Sequence, residues 1–376
     1  MPKILHIGDV HLDSPFSLFD VEKSSERRQE LRKTFASAMK YAKDNEADIV
    51  LIAGDLFDSE FVTRETMELI TKQFAENPRC RFVITPGNHD PATAKSAYLK
   101  TRFPDNVYIF KSENIKRFCF DDIGVDVYGF AYEQESCDKD PFETRLYLDK
   151  EKINIFLAHA DLASKNSTYC PITEKDIGES GYDYVALGHI HLGTKAMRAG
   201  STYYAYCGCP EGRSFDECGK KGGIFINAEK QNGIFRAEFE YPRFCQRRYE
   251  KTEADMTGLS THSQMCEKIK NIILKEGFDK KTLLRVRLTG IVSHDAAFFP
   301  ERAQESELGV FYVEVDDATI PLGDYDELKN DISIKGALFR ELLPKLQSED
   351  ERERKVASLA LKYGLSAIMG AEVTDF

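Results

Sequence analysis

The first half of the chain alternates short apolar runs with longer amphipathic stretches. The runs KILHI, DIVLIA and RFVIT are mostly apolar, which is typical of buried strands. The stretches between them, SSERRQELRKTFASAMKYAKDN and TRETMELITKQFAEN, have helical spacing. In the first, Leu31, Phe35, Met39 and Ala42 form an apolar stripe that we predict to be part of the core. This order of strands and helices predicts an α/β fold with a buried sheet.

The pattern changes near Tyr241. Before it, the runs VDVYGFAY, INIFLAH, YVALGH and GGIFINAE predict further strands. After it, a helix through QMCEKIKNIILKEG, a strand LLRVRLTG, a short helix near PERAQESEL and a strand GVFYVEVD predict a small α+β domain. Two charged segments at the end, KGALFRELLPKLQ and DERERKVASLALKYGL, predict helices. We therefore expect three parts, over residues 1–240, 241–330 and 331–376.

Side chains that are able to bind metal ions follow five of the predicted strands. They are Asp9 and His11, Asp55, Asn88, His159, and the pair His189 and His191. Because ligands of α/β sheets bind at the carboxyl ends of the strands, we expect these side chains to share one site. Glycines precede several of them, which suits tight turns that bring the backbone close to a site.

The histidine pair in YDYVALGHIHLG indicates a metal site only together with other candidate ligands. Alternate side chains of an extended segment point the same way, so His189 and His191 are able to face one site. A lone His-x-His pair is more often two solvated imidazoles, but four other strand ends supply ligands here. The remaining histidines receive no role: we interpret His6 as a core residue, and His262 and His294 lack neighbouring ligand types.

The composition limits the classes of protein to which this chain is expected to belong. With a formal charge of −12, the chain is not expected to coat nucleic acid through bulk electrostatics, so any phosphate binding must be local. The nine cysteines contain no Cys-x-x-Cys pair, and we interpret them as reduced thiols. Because we find neither a membrane-length apolar run nor a signal peptide, we expect a cytoplasmic protein without membrane contact.

The motifs GDVH, GDLFD, GNHD, a single histidine and GHIH, in this order, resemble the signature of the calcineurin-like metallophosphoesterases over roughly residues 1–200. The resemblance implies a four-layer α/β/β/α sandwich, with the small α+β domain as a cap and a helical C-terminal tail. It also implies two divalent metal ions. One would be held by Asp9, His11, Asp55 and His191, and the other by Asn88, His159 and His189, with Asp55 bridging the two.

The implied reaction is the hydrolysis of a phosphate ester by a hydroxide that the two metal ions activate. The resemblance gives His89 the role of contacting the phosphate and helping the leaving oxygen depart, whereas the alternative is that it only packs beside Asn88. Asp58 and Asp90 are expected to orient the metal-binding groups. A donor set without thiolate suits manganese, iron or zinc, with manganese favoured.

Two segments carry a finer resemblance. ILHIGDVHLDSPF and YCGCPEGRSFDECGKKG resemble the YhaO-like branch of the SbcD-type DNA repair nucleases. In relatives the second segment is closer to Gly-Ser-Pro-Glu, so Cys209 departs by replacing a serine. We interpret this loop as structural support without a catalytic residue.

The finer resemblance implies a metal-dependent DNA nuclease of repair or recombination, a homodimer that acts with a coiled-coil ATPase of the SbcC or YhaN kind. The segment from Lys335 to Leu365 is a candidate partner-binding helix, although such helices are usually domain edges. The alternatives are a phosphoesterase for nucleotides or cyclic nucleotides, and a scaffold subunit of an ATPase complex. GKKGG lacks the following Ser or Thr of a P-loop, so no ATP site is expected.

Overall fold

The computed structural model describes residues 1–368, apart from residues 145, 163–166, 294–295, 304–307, 323–324 and 349. His294 therefore lies outside the described residues. The chain folds into two compact units, Met1–Arg248 and Tyr249–Phe376. In the part of the chain that is described, no helix combines the length and the apolar character that crossing a membrane requires.

The strands of the first unit pair into two sheets of six. In chain order they are β1 Lys3–Ile7, β2 Ile49–Ala53, β3 Arg81–Thr85, β4 Val107–Ile109, β5 Lys116–Phe120, β6 Val125–Gly129, β7 Ile153–His159, β8 Tyr184–Gly188, β9 Met197–Ala199, β10 Thr202–Tyr206, β11 Ile224–Gln231 and β12 Ile234–Glu240. The helices are α1 Val21–Asp44, α2 Arg64–Ala75, α3 Ala97–Lys100 and α4 Glu174–Ser180, with a 3-10 turn at Pro141–Glu143.

Each sheet has a parallel centre and antiparallel edges. The first runs β12-β11-β1-β2-β3-β4, with β1 to β4 parallel and β11 antiparallel to β1. The second runs β5-β6-β7-β8-β10-β9, with β6, β7, β8 and β10 parallel. Parallel strands present their carboxyl ends at the same edge, so β1, β2 and β3 deliver the residues that follow them to one place.

The central strands are apolar on both faces because each sheet is covered on both sides. On β2, Val50 and Ile52 pack in a cluster with Phe35 of α1, whereas Ile49 and Leu51 pack in a cluster with β6 and β7 of the other sheet. The outer face of the second sheet forms a third cluster, which includes a residue of α4. Helix, sheet, sheet and helix therefore form four layers, and the predicted fold class is confirmed.

Helix α1 begins where Asp20 accepts a hydrogen bond from the Lys23 backbone N–H at 2.8 Å, a typical N-cap. Its predicted apolar stripe is fully buried against the first sheet, as is the helix's Arg27. The Arg27 guanidinium lies 2.9 Å from Glu211 Oε1, in the loop after β10. This buried pair fixes that loop against α1.

Gly188, the last residue of β8, marks a close approach between the two sheets at the carboxyl ends of their strands. A Cβ atom there would lie 1.8 Å from the Ala53 carbonyl oxygen, which belongs to β2 of the other sheet. We expect Gly188→Ala to lower the free energy of unfolding by about 1–3 kcal/mol through overpacking, measured by urea denaturation. In Gly178→Ala, the matched control in α4, the nearest atom lies 3.3 Å from the new Cβ, so a smaller effect is expected. Equal stability of both variants would contradict this close approach.

The second unit is a separate α+β fold. Its strands are β13 Arg248–Asp255, β14 Thr282–Thr289, β15 Ile291–Ser293, β16 Tyr312–Asp317 and β17 Ile320–Leu322. Its helices are α5 His262–Glu276, α6 Tyr325–Asn330, α7 Ile334–Leu346 and α8 Glu351–Ile368, with a 3-10 turn at Pro300–Arg302. β13, β14 and β16 form a sheet, and Met265, Ile269 and Ile273 of α5 are buried in the core of this unit. The capping role and the separation at residue 331 stay predictions.

Candidate metal centre

The loops after β1 and β2 are joined through their backbones. The Asp9 N–H donates to the Gly54 carbonyl at 3.0 Å, and the His11 N–H donates to the Asp55 carbonyl at 2.9 Å. Asp9, His11 and Asp55 each have a φ of 49°, in the left-handed region that non-glycine residues rarely adopt. Such strain typically collects at functional sites. The paired loops hold the three side chains together in the interior.

Gly54 is required by the close approach of a ligand from the other sheet. Its φ is +85°, and a Cβ atom there would lie 2.3 Å from His159 Nδ1. The same His159 nitrogen donates to the Ala53 carbonyl at 3.0 Å. This hydrogen bond keeps a proton on Nδ1, so Nε2 is the nitrogen of His159 that is able to bind a cation once its own proton leaves.

One group of ligand atoms collects around His159 Nε2. Asn88 Oδ1 lies 2.9 Å from it, His189 Nδ1 lies 3.3 Å from it, and Asp55 Oδ2 lies 3.4 Å from it. The His189 backbone N–H donates to both carboxylate oxygens of Asp9, at 3.0 and 3.2 Å, which places the end of β8 against the loop after β1.

A second group collects around His11 Nε2. His191 Nε2 lies 3.2 Å from it, and Asp55 Oδ2 lies 3.6 Å from it. Asp9 Oδ1 lies 3.8 Å from His191 Nε2. The structure thus brings together all seven residues that we predicted as ligands. It arranges them in two groups that share Asp55, although the assignment of metal ions to them stays a prediction.

The chemistry of the donor atoms fits cations. Carboxylate oxygens, an amide oxygen and imidazole nitrogens face one another at 2.9 to 3.8 Å, and acceptors this close need a proton or a cation between them. Two sets of Asp and His residues, Asp9 with His11 and His191, and Asp9 with Asp55 and His159, keep all their ligand atoms within 4.8 Å. The residues present therefore suit divalent metal ions.

The electrostatics agree with this chemistry. Burial lowers the pKa of His11 to about 4, and burial together with the adjacent His159 lowers the pKa of His189 to about 4, so both rings are neutral ligands near pH 7. Burial also opposes a charged His159, but the Asp55 carboxylate outweighs it and raises the pKa of His159 to about 9. The centre therefore stabilises positive charge.

Asp90 ties the loop after β3 to the loop after β2. Its carboxylate accepts hydrogen bonds from the Gly87 N–H at 2.7 Å and from the Phe57 N–H at 3.1 Å, as well as from the Tyr98 hydroxyl at 2.5 Å. Burial, reinforced by the nearby Asp55 carboxylate, raises the pKa of Asp90 to about 7. Asp90 thus positions the backbone on both sides of the metal centre.

His89 lies at the exposed edge of the centre. Its backbone N–H donates to Asp55 Oδ1 at 3.0 Å, and its Nδ1 donates to the Asp58 carbonyl at 3.2 Å. The ring lines an open cavity of about 840 Å³, together with Asn88 and Tyr169. A molecule in this cavity would therefore reach both His89 and the candidate ligand Asn88.

Residues of the loop after β10 complete the surroundings of the ligands. Glu217 Oε1 lies 2.6 Å from His191 Nδ1, on the opposite side of the ring from the ligand nitrogen. Arg213 donates to Asp58 Oδ1 at 2.8 Å, and Asp58 Oδ1 lies 3.2 Å from His11 Nδ1. Arg213 thus lies between two carboxylates that each face a histidine of the candidate ligand set.

The sequence profile of the calcineurin-like phosphoesterases matches residues 2–193, just over half of the chain and the stretch that carries all seven ligand candidates. The chain belongs to this family. The fold of calcineurin-like phosphoesterases is that of hydrolases that act on phosphoester bonds, and the family uses a dinuclear metal site. The predicted family is confirmed.

Relatives of this phosphoesterase include an uncharacterized metallophosphoesterase, YhaO of Bacillus subtilis, which is 27% identical over 72% of this chain and 67% of its own length. The DNA double-strand break repair protein Mre11 of Aeropyrum pernix is 24% identical over 78% of this chain and 74% of its own length. Mre11 of Methanopyrus kandleri is 24% identical over 63% of this chain and 54% of its own length. The predicted resemblance to the YhaO-like branch is confirmed.

Glu217 and Arg213 of this phosphoesterase were not predicted as site residues from the sequence. We interpreted their loop as structural support, and no short motif marks either residue as a partner of a histidine. The position of the loop depends on Glu211, whose carboxylate accepts hydrogen bonds from Arg27, Thr34 and the Gln246 N–H. The Cys209 thiol lies 3.7 Å from Glu217 Oε2, so the residue that departs from the family pattern contacts this network.

We expect Glu217→Gln to weaken metal binding at the centre about 10-fold to 100-fold. The carboxylate accepts the Nδ1 proton of His191 and makes Nε2 a better ligand, and the loss of such partners typically costs this much affinity. The measurement is calorimetric titration of the metal-free protein with Mn²⁺. Asp216→Asn, which removes an exposed carboxylate from the same loop, should bind as tightly as the unmutated protein. Unchanged affinity in Glu217→Gln would show that this contact does not support a metal ligand.

Proposed function

We propose that this phosphoesterase is a metal-dependent DNA nuclease that acts in DNA repair or recombination. The similarity to Mre11 of Aeropyrum pernix carries the proposal. It covers 78% of the chain, whereas the first unit makes up only about two thirds of it. The similarity therefore continues beyond the phosphoesterase unit into Tyr249–Phe376, which a shared phosphoesterase fold alone does not explain.

In this proposal Asp9, His11, Asp55 and His191 would hold one divalent cation. Asn88, His159 and His189 would hold the second, and Asp55 would belong to both sets. Manganese suits this donor set, with iron and zinc as the alternatives. Two bound cations supply positive charge that polarises a phosphodiester and makes water a stronger nucleophile near neutral pH.

The resemblance implies the proposed role of His89 at the leaving oxygen, and the hydrogen bonds of the residue support it. Because the Asp58 carbonyl oxygen accepts from Nδ1, that nitrogen holds a proton in either charge state of the ring. Nε2 is then the atom that carries the exchangeable proton, which the charged ring donates to the departing oxygen of the ester. The hydrogen bond from the His89 N–H to Asp55 fixes the position of the residue relative to the metal centre.

Formal charge counting supports an anionic substrate. Two divalent cations and the Arg213 guanidinium oppose four carboxylates, those of Asp9, Asp55, Asp58 and Glu217. One positive charge is left in excess. With the Asp9 and Asp55 carboxylates alone, the net charge of the centre would be two positive charges. Asp58 and Glu217 remove two of them, and Arg213 adds one. The attraction for a phosphodiester is therefore local to the centre.

The test uses the purified full-length protein with Mn²⁺ and labelled single-stranded and double-stranded DNA. We expect cleavage that EDTA abolishes and that excess Mn²⁺ restores. Asp55→Asn, purified in parallel, reports contaminating nucleases, because its fold should be intact while its centre is impaired. The nuclease assignment is refuted if the metal-bound protein does not cleave DNA, even after the coiled-coil ATPase is added.

A small-molecule phosphodiesterase is the second candidate. Three glutamates, Glu60, Glu133 and Glu135, line the open cavity beside His89 and would repel a long polyanion more than a compact ester. Comparison of kcat/KM for 2′,3′-cyclic and 3′,5′-cyclic nucleotides with that for DNA under the same conditions separates the two. Efficient turnover of a cyclic nucleotide without DNA cleavage would favour this candidate.

The partners proposed with the nuclease are a coiled-coil ATPase of the SbcC or YhaN kind and a second copy of the chain. Support comes from the similarity to the two Mre11 repair proteins. The helix α8, Glu351–Ile368, overlaps the segment that we predicted as partner-binding. The homodimer, the ATPase and the cytoplasmic location stay predictions.

A further inference from the structure

Two cysteines outside the metal centre lie side by side. A parallel β-bridge pairs Cys137 with Tyr169, so that Cys170 is the next residue along the opposite segment. The Cys137 N–H donates to the Thr168 carbonyl at 2.8 Å, and the Cys170 N–H donates to the Cys137 carbonyl at 2.5 Å. Both thiols are free, and both cysteines belong to the same buried cluster.

We propose that Cys137 and Cys170 form a redox site at which hydrogen peroxide converts the two thiols into an intramolecular disulfide. The backbone bridge holds the two residues in adjacent, hydrogen-bonded positions, which suits the short Cα separation that a disulfide requires. The proposal does not depend on the substrate of the metal centre.

The two thiols differ in access and in acidity. Cys137 lines a cavity of about 330 Å³, whereas Cys170 is fully buried behind it. The hydrogen bond with Cys170 lowers the pKa of Cys137 to about 7, and the same contact, together with burial, raises the pKa of Cys170. At 5% exposure against 0%, Cys137 has the more exposed and more acidic thiol of the two, so it reacts first and Cys170 is the resolving thiol.

The chemistry balances with peroxide as the oxidant. The Cys137 thiolate attacks one peroxide oxygen, the O–O bond breaks, and hydroxide leaves while Cys137 becomes a sulfenic acid. The Cys170 sulfur then attacks the Cys137 sulfur, the S–O bond breaks, and water leaves with the Cys170 proton. The two thiols lose two electrons, which reduce the peroxide.

The bridge would join two segments that line the cavity beside His89. Residues Glu133 to Ser136, directly before Cys137, form part of its lining, and so does Tyr169. The Tyr169 ring lies 4.8 Å from the His189 ring, and the Tyr169 carbonyl accepts from the Asp161 N–H at 2.8 Å. Oxidation therefore cross-links the wall of the candidate site.

The test maps disulfides in the reduced full-length protein after a brief treatment with hydrogen peroxide and blocking of the remaining thiols. A glutamate-specific protease is required, because Glu133 and Glu135 separate Cys137 from Cys119, which trypsin leaves on the same peptide. We expect a linked pair of peptides that contain Cys137 and Cys170, with the loss of two hydrogen atoms. We also expect slower amide hydrogen exchange over Thr168 to Ile172 in the oxidised protein.

Variants separate the roles of the two thiols. In Cys170→Ser, dimedone should trap a sulfenic acid at Cys137 that the unmutated protein converts to the disulfide, and in Cys137→Ser both products should disappear. Cys119→Ser, which changes an exposed cysteine of β5, should form the disulfide as the unmutated protein does. Absence of the Cys137–Cys170 linkage in the unmutated protein, or faster oxidation of Cys119 than of Cys137, would overturn the proposal, whether or not the serine variants fold.

Discussion

Asp55→Asn is expected to lower kcat for phosphodiester hydrolysis by about 1,000-fold or more while leaving the fold intact. Asp55 Oδ2 is the atom shared by both groups of ligands, at 3.6 Å from His11 Nε2 and 3.4 Å from His159 Nε2. A neutral amide binds a divalent cation more weakly, and a loss of about 4 kcal/mol in transition-state stabilisation corresponds to this factor. The amide oxygen of the substituted side chain retains the ability to accept the His89 N–H, so local structure should persist.

The measurement combines steady-state kinetics on bis-p-nitrophenyl phosphate, metal content and circular dichroism. Asp44→Asn is the matched control, because Asp44 is an exposed carboxylate that pairs with Lys40 at the end of α1. It should retain the activity and metal content of the unmutated protein. Unchanged activity in Asp55→Asn would refute the proposal that Asp55 is a ligand of both metal ions. If the unmutated protein hydrolyses no phosphoester but still binds the ATPase, the scaffold alternative is favoured.

Removal of the metal ions is expected to abolish hydrolysis and to lower the melting temperature by about 5–10 °C. A ligand present at about 100 times its Kd adds about 2.7 kcal/mol to stability. In a unit of this size each kcal/mol shifts the melting temperature by about 2–4 °C. The physical cause is the buried cluster of Asp9, Asp55 and the histidines, whose acceptor atoms face one another until a cation lies between them.

Calorimetry of chelated and dialysed protein, with and without added Mn²⁺, measures this shift. In Asp55→Asn, Mn²⁺ should raise the melting temperature by only a small part of this amount. That result separates binding at the centre from weak binding elsewhere on an acidic protein. Mg²⁺ at the same concentration should stabilise less, because it prefers oxygen ligands and the centre holds four histidine nitrogens. Equal melting temperatures with and without Mn²⁺ would contradict a metal centre at this position.

Much of the site could be predicted from the sequence because its residues follow local patterns. Each ligand follows an apolar run that ends in a turn, and strands of this kind form parallel sheets whose carboxyl ends meet. That reasoning grouped Asp9, His11, Asp55 and Asn88 with the histidine that ends β7 and the two that follow β8. The apolar stripe of α1 could be predicted in the same way, since helical periodicity alone places its residues on one face.

Weaker patterns were missed for a physical reason. Strands β5 and β10, Lys116–Phe120 and Thr202–Tyr206, were not predicted, although β10 pairs with β8 beside the ligands. β5 is an edge strand with exposed positions, so its apolar pattern is incomplete. In β5, pairing with β6 supplies what the apolar pattern of the segment lacks.

The sequence by itself determined the family, the four-layer fold class and the set of ligand candidates, because strand order and motif order are properties of the chain. Only the tertiary structure decided which residues surround those ligands. Glu217 contacts His191 across 26 residues, and Arg213 contacts Asp58 across 155. A β-bridge between Cys137 and Tyr169 brings Cys137 beside Cys170. Such contacts depend on how two sheets and their loops stack, and no local periodicity carries that information.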